Sequence, residues 1–237
     1  MVTAIDENTR RFSRLKFKIL DDVSHLEELS KLVEAALTRE CVALADKIEA
    51  QKADLSQEES EHLDVWHKID FLRLQEDFPR LQRYAMFTTA MAAVEANVVA
   101  LCYVLKENIG LTVEFKKSQS NIISNALKYL EKQAMVDMIR LSHDIKNIDM
   151  FRRIRNCIVH SEGTNTDSVP EEIRDYCNRI PTLCIDDQNR IILSEGFVSI
   201  ALHIIRQFFN GLLESSKKAW KAQPSAALDR RSRAALD

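Results

Sequence analysis

Between Tyr84 and Leu105 the chain is almost entirely apolar, and the run is long enough for a membrane span or for the central helix of a bundle. Glu95 and Asn97 sit in its middle, and Asp77, Arg80, Arg83, Lys106 and Glu107 flank it. A carboxylate at mid-span is expensive in lipid. The run is therefore expected to be a helix buried on all sides by other helices. Only 4 Gly and 4 Pro occur in 237 residues. So few breakers leave little room for a turn-rich all-β fold and favour long helices. The predicted class is an all-α helical bundle.

Apolar spacing divides the rest. Residues 1–20 read as an N-terminal arm. Asp21 to about Gln51 carries Leu26, Leu29, Val33, Leu37, Leu44 and Ile48 at mostly three- and four-residue steps, an amphipathic helix. Ser56 and Glu59 form a capping box that starts a second helix, running to about Glu76. Its inward side is expected to hold Leu63, Trp66, Ile69 (or Asp70) and Leu72 or Arg73. The two helices make a charged hairpin over 21–76. Asp77-Phe78-Pro79 restarts the chain, and the apolar helix runs from about Pro79 to Asn108, with Gly110 as its stop.

Leu111 to Lys117 is a connector. A helix follows from about Gln119 to Lys132, with Ile122 (or Ile123), Ala126, Leu127 and Leu130 inward. Another runs from near Ser142 to His160 and ends at Gly163. Ser168 to Glu171 is a second capping box for a short helix to about Arg179. Leu183-Cys184-Ile185 and Ile191-Ile192-Leu193 flank a polar turn, a small β-hairpin. Ser194 caps the last long helix, with Phe197, Ile200, Ile204, Phe208 and Leu212 inward. Residues 221–237 read as a frayed or disordered tail.

The net charge of -3 means that any contact with nucleic acid needs a local basic patch. The five cysteines are odd in number and lack CxxC spacing, so they read as reduced, buried thiols of a cytoplasmic protein. The N-terminus has no secretory pattern. Gly-rich phosphate loops, GxSxG and HExxH are missing. His62 and His67 lack zincin spacing and read as exposed histidines on a surface helix.

The stretch with chemical content is Phe151-Arg152-Arg153-Ile154-Arg155-Asn156-Cys157-Ile158-Val159-His160. On a helix Asn156 and His160 lie about 40° apart, and Arg155 about 140° from His160. Arg155 has a side chain long enough to curl toward the imidazole. Imidazole is the one group here with an intrinsic pKa near neutrality. The arginines suit a phosphodiester. Basic residues in a last helical turn are also favoured by the helix dipole alone.

Ile154-Arg155-Asn156-Cys157-Ile158-Val159-His160-Ser161-Glu162-Gly163 resembles the signature of the HEPN superfamily (higher eukaryotes and prokaryotes nucleotide-binding domains). That signature is an arginine, commonly followed by a polar residue, with a histidine four to six residues on. The order of elements over about Asp77 to Trp220 is also similar: a long helix with an internal glutamate, a further helix, the motif helix, a hairpin and a closing helix.

The resemblance implies an HEPN-like bundle over 77–220, with the 21–76 hairpin as an extension. It also implies a homodimer whose two motifs meet in one cleft and cut RNA without a metal or other cofactor. Arg155, Asn156 and His160 would be the catalytic set, with Arg152 and Arg153 binding the RNA backbone. Members serve as toxins restrained by an antitoxin or as antiphage effectors. Others are inactive dimerisation or binding modules. Glu95 is expected to be a buried carboxylate supporting the motif through Arg155 or Asn156. The alternative is an Asn or Tyr partner elsewhere in the core.

Overall fold

The computed structural model describes residues 4–117, 121–161 and 169–222. The chain is an all-α helical bundle with a small antiparallel β-hairpin before its last long helix. The helices are α1 (Ala4–Lys52), α2 (Gln57–Leu72), α3 (Phe78–Ile109), α4 (Ile122–Lys132), α5 (Ser142–Ser161), α6 (Glu171–Cys177) and α7 (Phe197–Ala222). The strands are β1 (Leu183–Ile185) and β2 (Ile191–Leu193). The chain divides into two compact units. The first holds Met1–Ser24, Thr89–Arg153 and Ala201–Asp237, the second His25–Thr88 and Ile154–Ile200.

In the first unit, α1 starts well before Asp21. The expected arm is helical from Ala4, because Phe12, Leu15, Ile19 and Val23 repeat at three- and four-residue steps and are all buried. Phe12 meets Trp220 with ring centroids 5.7 Å apart, and Asn108 Nδ2 donates to the Asn8 carbonyl at 3.3 Å. The chain end gains its helical order from these distant partners.

The apolar helix α3 buries one broad face, including Met91, Val94, Val98, Leu101, Cys102 and Leu105. Ala85, Ala92, Ala96 and Tyr103 stay exposed, so burial on all sides is corrected to burial on one. The outer residues are mostly alanines, which lose little by facing outward. Gly110, at φ 75°, closes α3, and the N–H groups of Gly110 and Leu111 both donate to the Lys106 carbonyl.

Helix α4 is capped by Asn121, whose side chain accepts from the Ser124 N–H. A 3-10 turn, Ile139–Leu141, leads into α5. Leu141 packs so close to Gly211 that any Cβ there would collide with it, which fixes the start of α5 against α7. The inward face of α7 is wider than the predicted stripe. It adds Val198, Ala201, Leu202, Ile205, Phe209 and Leu213, while Ile200 is exposed.

In the second unit, Ser56 and Glu59 form the expected capping box. Between α2 and α3 the expected restart does not occur. Residues Arg73–Asp77 form a π-helical segment, in which the Phe78 N–H donates to the Arg73 carbonyl five residues back. The wider turn carries the helical path up to Pro79, which has no N–H to give and whose ring would crowd an ordinary turn.

Helix α2 has no buried residue. Trp66 is 79% exposed, Ile69 60% and Leu72 41%, so most of the predicted inward stripe faces solvent, with Leu63 half-buried; Val65 beside it is 71% exposed. His67 is half-buried, with Nδ1 3.4 Å from Asp70 Oδ2, while His62 is exposed. Glu34 on α1 takes both Arg83 Nε (2.6 Å) and Arg83 Nη2 (2.8 Å) from α3. Tyr84 donates to the Ile191 carbonyl, and Phe87 packs edge-on against Phe197 at 5.3 Å.

The hairpin pairs Leu183 with Leu193 and Ile185 with Ile191. Asp186 organises its turn by accepting from the Gln188 and Arg190 N–H groups and from Arg190 Nε. The Ser168 cap, Gly163 and the 223–237 part of the tail lie outside the described residues. The N-cap of α6 falls on Pro170, with no side-chain cap bond. Ser194 does not directly precede α7. Its carbonyl accepts from Phe197 N–H across a turn through Gly196, which has φ 83°.

All five cysteines are free thiols. Cys102 and Cys177 are buried, Cys41 and Cys157 half-buried, and Cys184 exposed, which corrects the expectation of burial throughout.

Candidate functional site

The motif lies on one uninterrupted helix, α5. Its second-unit part is anchored by Ile154 and Ile158, both buried. These two side chains fix which way the neighbouring positions face. Arg155, Asn156 and Cys157 are half-buried, and Val159 and His160 are exposed in the last turn. Among the described residues His160 makes no hydrogen bond or ion pair.

Arg155 Nη1 donates to Asn156 Oδ1 at 3.2 Å. Consecutive helical residues point about 100° apart and do not normally face each other. The contact therefore requires the guanidinium to wrap around the helix. Asn156 is only about 40° from the His160 direction. The wrap thus carries the Arg155 charge toward the side of the helix that bears the imidazole. The Nε atom of Arg155 is shielded from solvent.

Arg152 and Arg153 belong to the first-unit part of α5. Both are held by Asp149. Arg152 donates to its Oδ1 from Nε (3.1 Å) and Nη2 (2.8 Å), and Arg153 Nε donates to its Oδ2 at 3.0 Å. Burial pushes the Asp149 carboxyl upward, but the bonds from Arg152 and Arg153 outweigh it and hold the group below its ordinary value. Part of the basic charge counted toward RNA binding is thus neutralised within the helix. Asp149 is a residue that the motif alone does not mark. Its spacing, three and four residues before two arginines, is the readable signal.

Glu95 lies on α3 in the first unit and is half-buried, so the expected deep burial is corrected. The deeply buried polar residue on that helix is Asn97. Its Nδ2 donates to Asp22 Oδ2 at 3.3 Å, and its Oδ1 accepts from Lys18 Nζ at 3.4 Å. Burial raises the Cys157 thiol's pKa, so the cysteine inside the motif is no thiolate nucleophile at neutral pH.

No family model, curated protein or solved structure matches the chain.

Proposed function

We propose that the chain is a metal-independent endoribonuclease of HEPN type that acts as a homodimer, with a toxin or antiphage role. The observation that carries this reading is the Arg155–Asn156 contact, which turns a guanidinium toward the side of α5 where an exposed imidazole stands. His160 takes the proton of an RNA 2′-OH as that oxygen attacks the adjacent phosphorus. The P–O5′ bond breaks, leaving a 2′,3′-cyclic phosphate, and the second protomer's imidazolium protonates the departing 5′ oxygen. Arg155 balances the extra negative charge on the phosphorane, where a fixed cation contributes most. Asn156 sets the direction of the guanidinium. Arg152 and Arg153 hold flanking phosphates.

The test is RNA cleavage in EDTA by the wild type and by His160→Ala. Proton transfer by a positioned imidazole contributes roughly 10²–10⁴-fold, so the variant should fall by that factor with its helical content intact. Wild-type protein that leaves a broad RNA panel uncut would remove the enzyme reading.

A second reading, a catalytically inactive binding module, is favoured by one observation. The open apolar face of α2 (Val65, Trp66, Ile69) is a surface suited to a protein partner such as an antitoxin.

A further inference from the structure

Helices α4 and α5 and the residues just before α5 line a half-open hollow of about 390 Å³ in the first unit. Its wall is apolar: Ile123, Leu127, Met138, Ile145 and Ile148. The volume falls in the roughly 300–1,000 Å³ range of small-molecule sites. Its rim carries charge. Lys128 and Lys146 are exposed there, and among the described residues neither has an ion-pair or hydrogen-bond partner. Arg152 also lines the rim, but Asp149 engages it. Glu131 is the remaining rim carboxylate, one against two uncommitted lysines. An apolar hollow with surplus ammonium groups at its mouth matches one ligand chemistry. That ligand has a hydrocarbon body that displaces water from the wall and a single anionic head that meets the lysines.

We propose that this cavity binds a single-chain amphiphilic anion, with its chain against Leu127, Ile145 and Ile148 and its carboxylate or phosphate head on Lys128 and Lys146. The proposal does not rest on the Arg155–His160 chemistry, although Arg152 borders both places. It stands or falls whether or not the chain cuts RNA.

The experiment is calorimetric titration of the full chain with dodecanoate, dodecyl phosphate and dodecanol, each below its micelle concentration. Saturable one-to-one binding of an anion is expected, with dodecanol at least tenfold weaker. The tighter of the two anions identifies the head group. Each CH₂ removed from the probe should weaken binding roughly fourfold. Lys128→Glu with Lys146→Glu should weaken binding at least tenfold, and Leu127→Trp, which fills the hollow, should abolish it. The lysines are exposed, so the charge-reversal variant remains decisive even if Leu127→Trp fails to fold. Absence of saturable binding by folded wild type overturns the proposal. So does dodecanol binding as tightly as the anions, or affinity unchanged in a folded charge-reversal variant.

Discussion

Arg155 donates a hydrogen bond to Asn156, the residue that follows it on the same helix, at 3.2 Å. A pair at this spacing meets only when the longer side chain bends around the helix axis. Asn156 is therefore one of the groups that direct the Arg155 charge, which makes it a positioning residue. Replacing Asn156 with Ala removes one hydrogen bond to a charged group, worth about 1.5–3 kcal/mol. Cleavage should fall about 10- to 100-fold, while Asn156→Asp, which keeps the acceptor, should recover part of the loss. Single-turnover assays on the three proteins check this, and equal activity in Asn156→Ala would deny the positioning role.

Asp149 acts against its own neighbours. Asp149→Asn should free Arg152, remove one of the contacts of Arg153, and strengthen RNA binding at low salt, with a steeper salt dependence. The stability cost should be about 1 kcal/mol, since the two ion pairs are only half-buried. Filter binding across a salt series measures the first effect and urea denaturation the second.

Two aspartate carboxyls, Asp149 and Asp186, are held below their ordinary value of 3.8. For both, burial pushes upward and is outweighed, at Asp149 by the two arginines and at Asp186 by the Arg190 and Gln188 bonds. A group with a depressed folded pKa contributes stability that is complete above its unfolded value. That stability is lost as pH falls through the folded value. Melting temperature should therefore keep falling as pH drops below about 3.8, and Asp186→Asn should flatten that fall. A thermal series from pH 5 to pH 2 reads the slope.

Glu34 and Arg83 share two short bonds in a half-buried setting. Arg83→Ala leaves a partly buried carboxylate without its cation, so a loss of about 2 kcal/mol is expected. Glu34→Gln with Arg83→Met should lose less than Arg83→Ala, because both charges leave together. Denaturant midpoints of the three variants decide the order.

Thiol reactivity should follow exposure. Burial pushes the Cys102 thiol up to about 12 and the Cys177 thiol up to about 11. Cys184 is exposed and should take maleimide first at neutral pH, with Cys102 and Cys177 protected until the chain unfolds. Labelling followed by peptide mass spectrometry shows the order. Early reaction at Cys102 would contradict its burial.

Several features were legible from local chemistry because they close over short spans. These are the all-α class, the Ser56–Glu59 box, the Gly110 stop, the β-hairpin and the helical placement of Arg155, Asn156 and His160. Each depends on hydrogen bonds or periodicity within a few residues. Asp149 was equally local, but its three- and four-residue spacing to Arg152 and Arg153 lies upstream of the motif.

Other features depend on partners far along the chain. The first turns of α1 look polar in sequence and are ordered by Trp220 and α3. The stripe containing Trp66 and Ile69 has helical spacing yet faces solvent, because periodicity reports a face and not what covers it. Glu95 and Asn97 lie two residues apart in the same apolar run. The tertiary structure seals in Asn97, against Lys18 and Asp22, and leaves Glu95 half-exposed. A side chain's neighbours around a helix follow from 3.6 residues per turn. Its neighbours across the fold follow only from how helices meet, and there burial, cavity and charge pairing were decided.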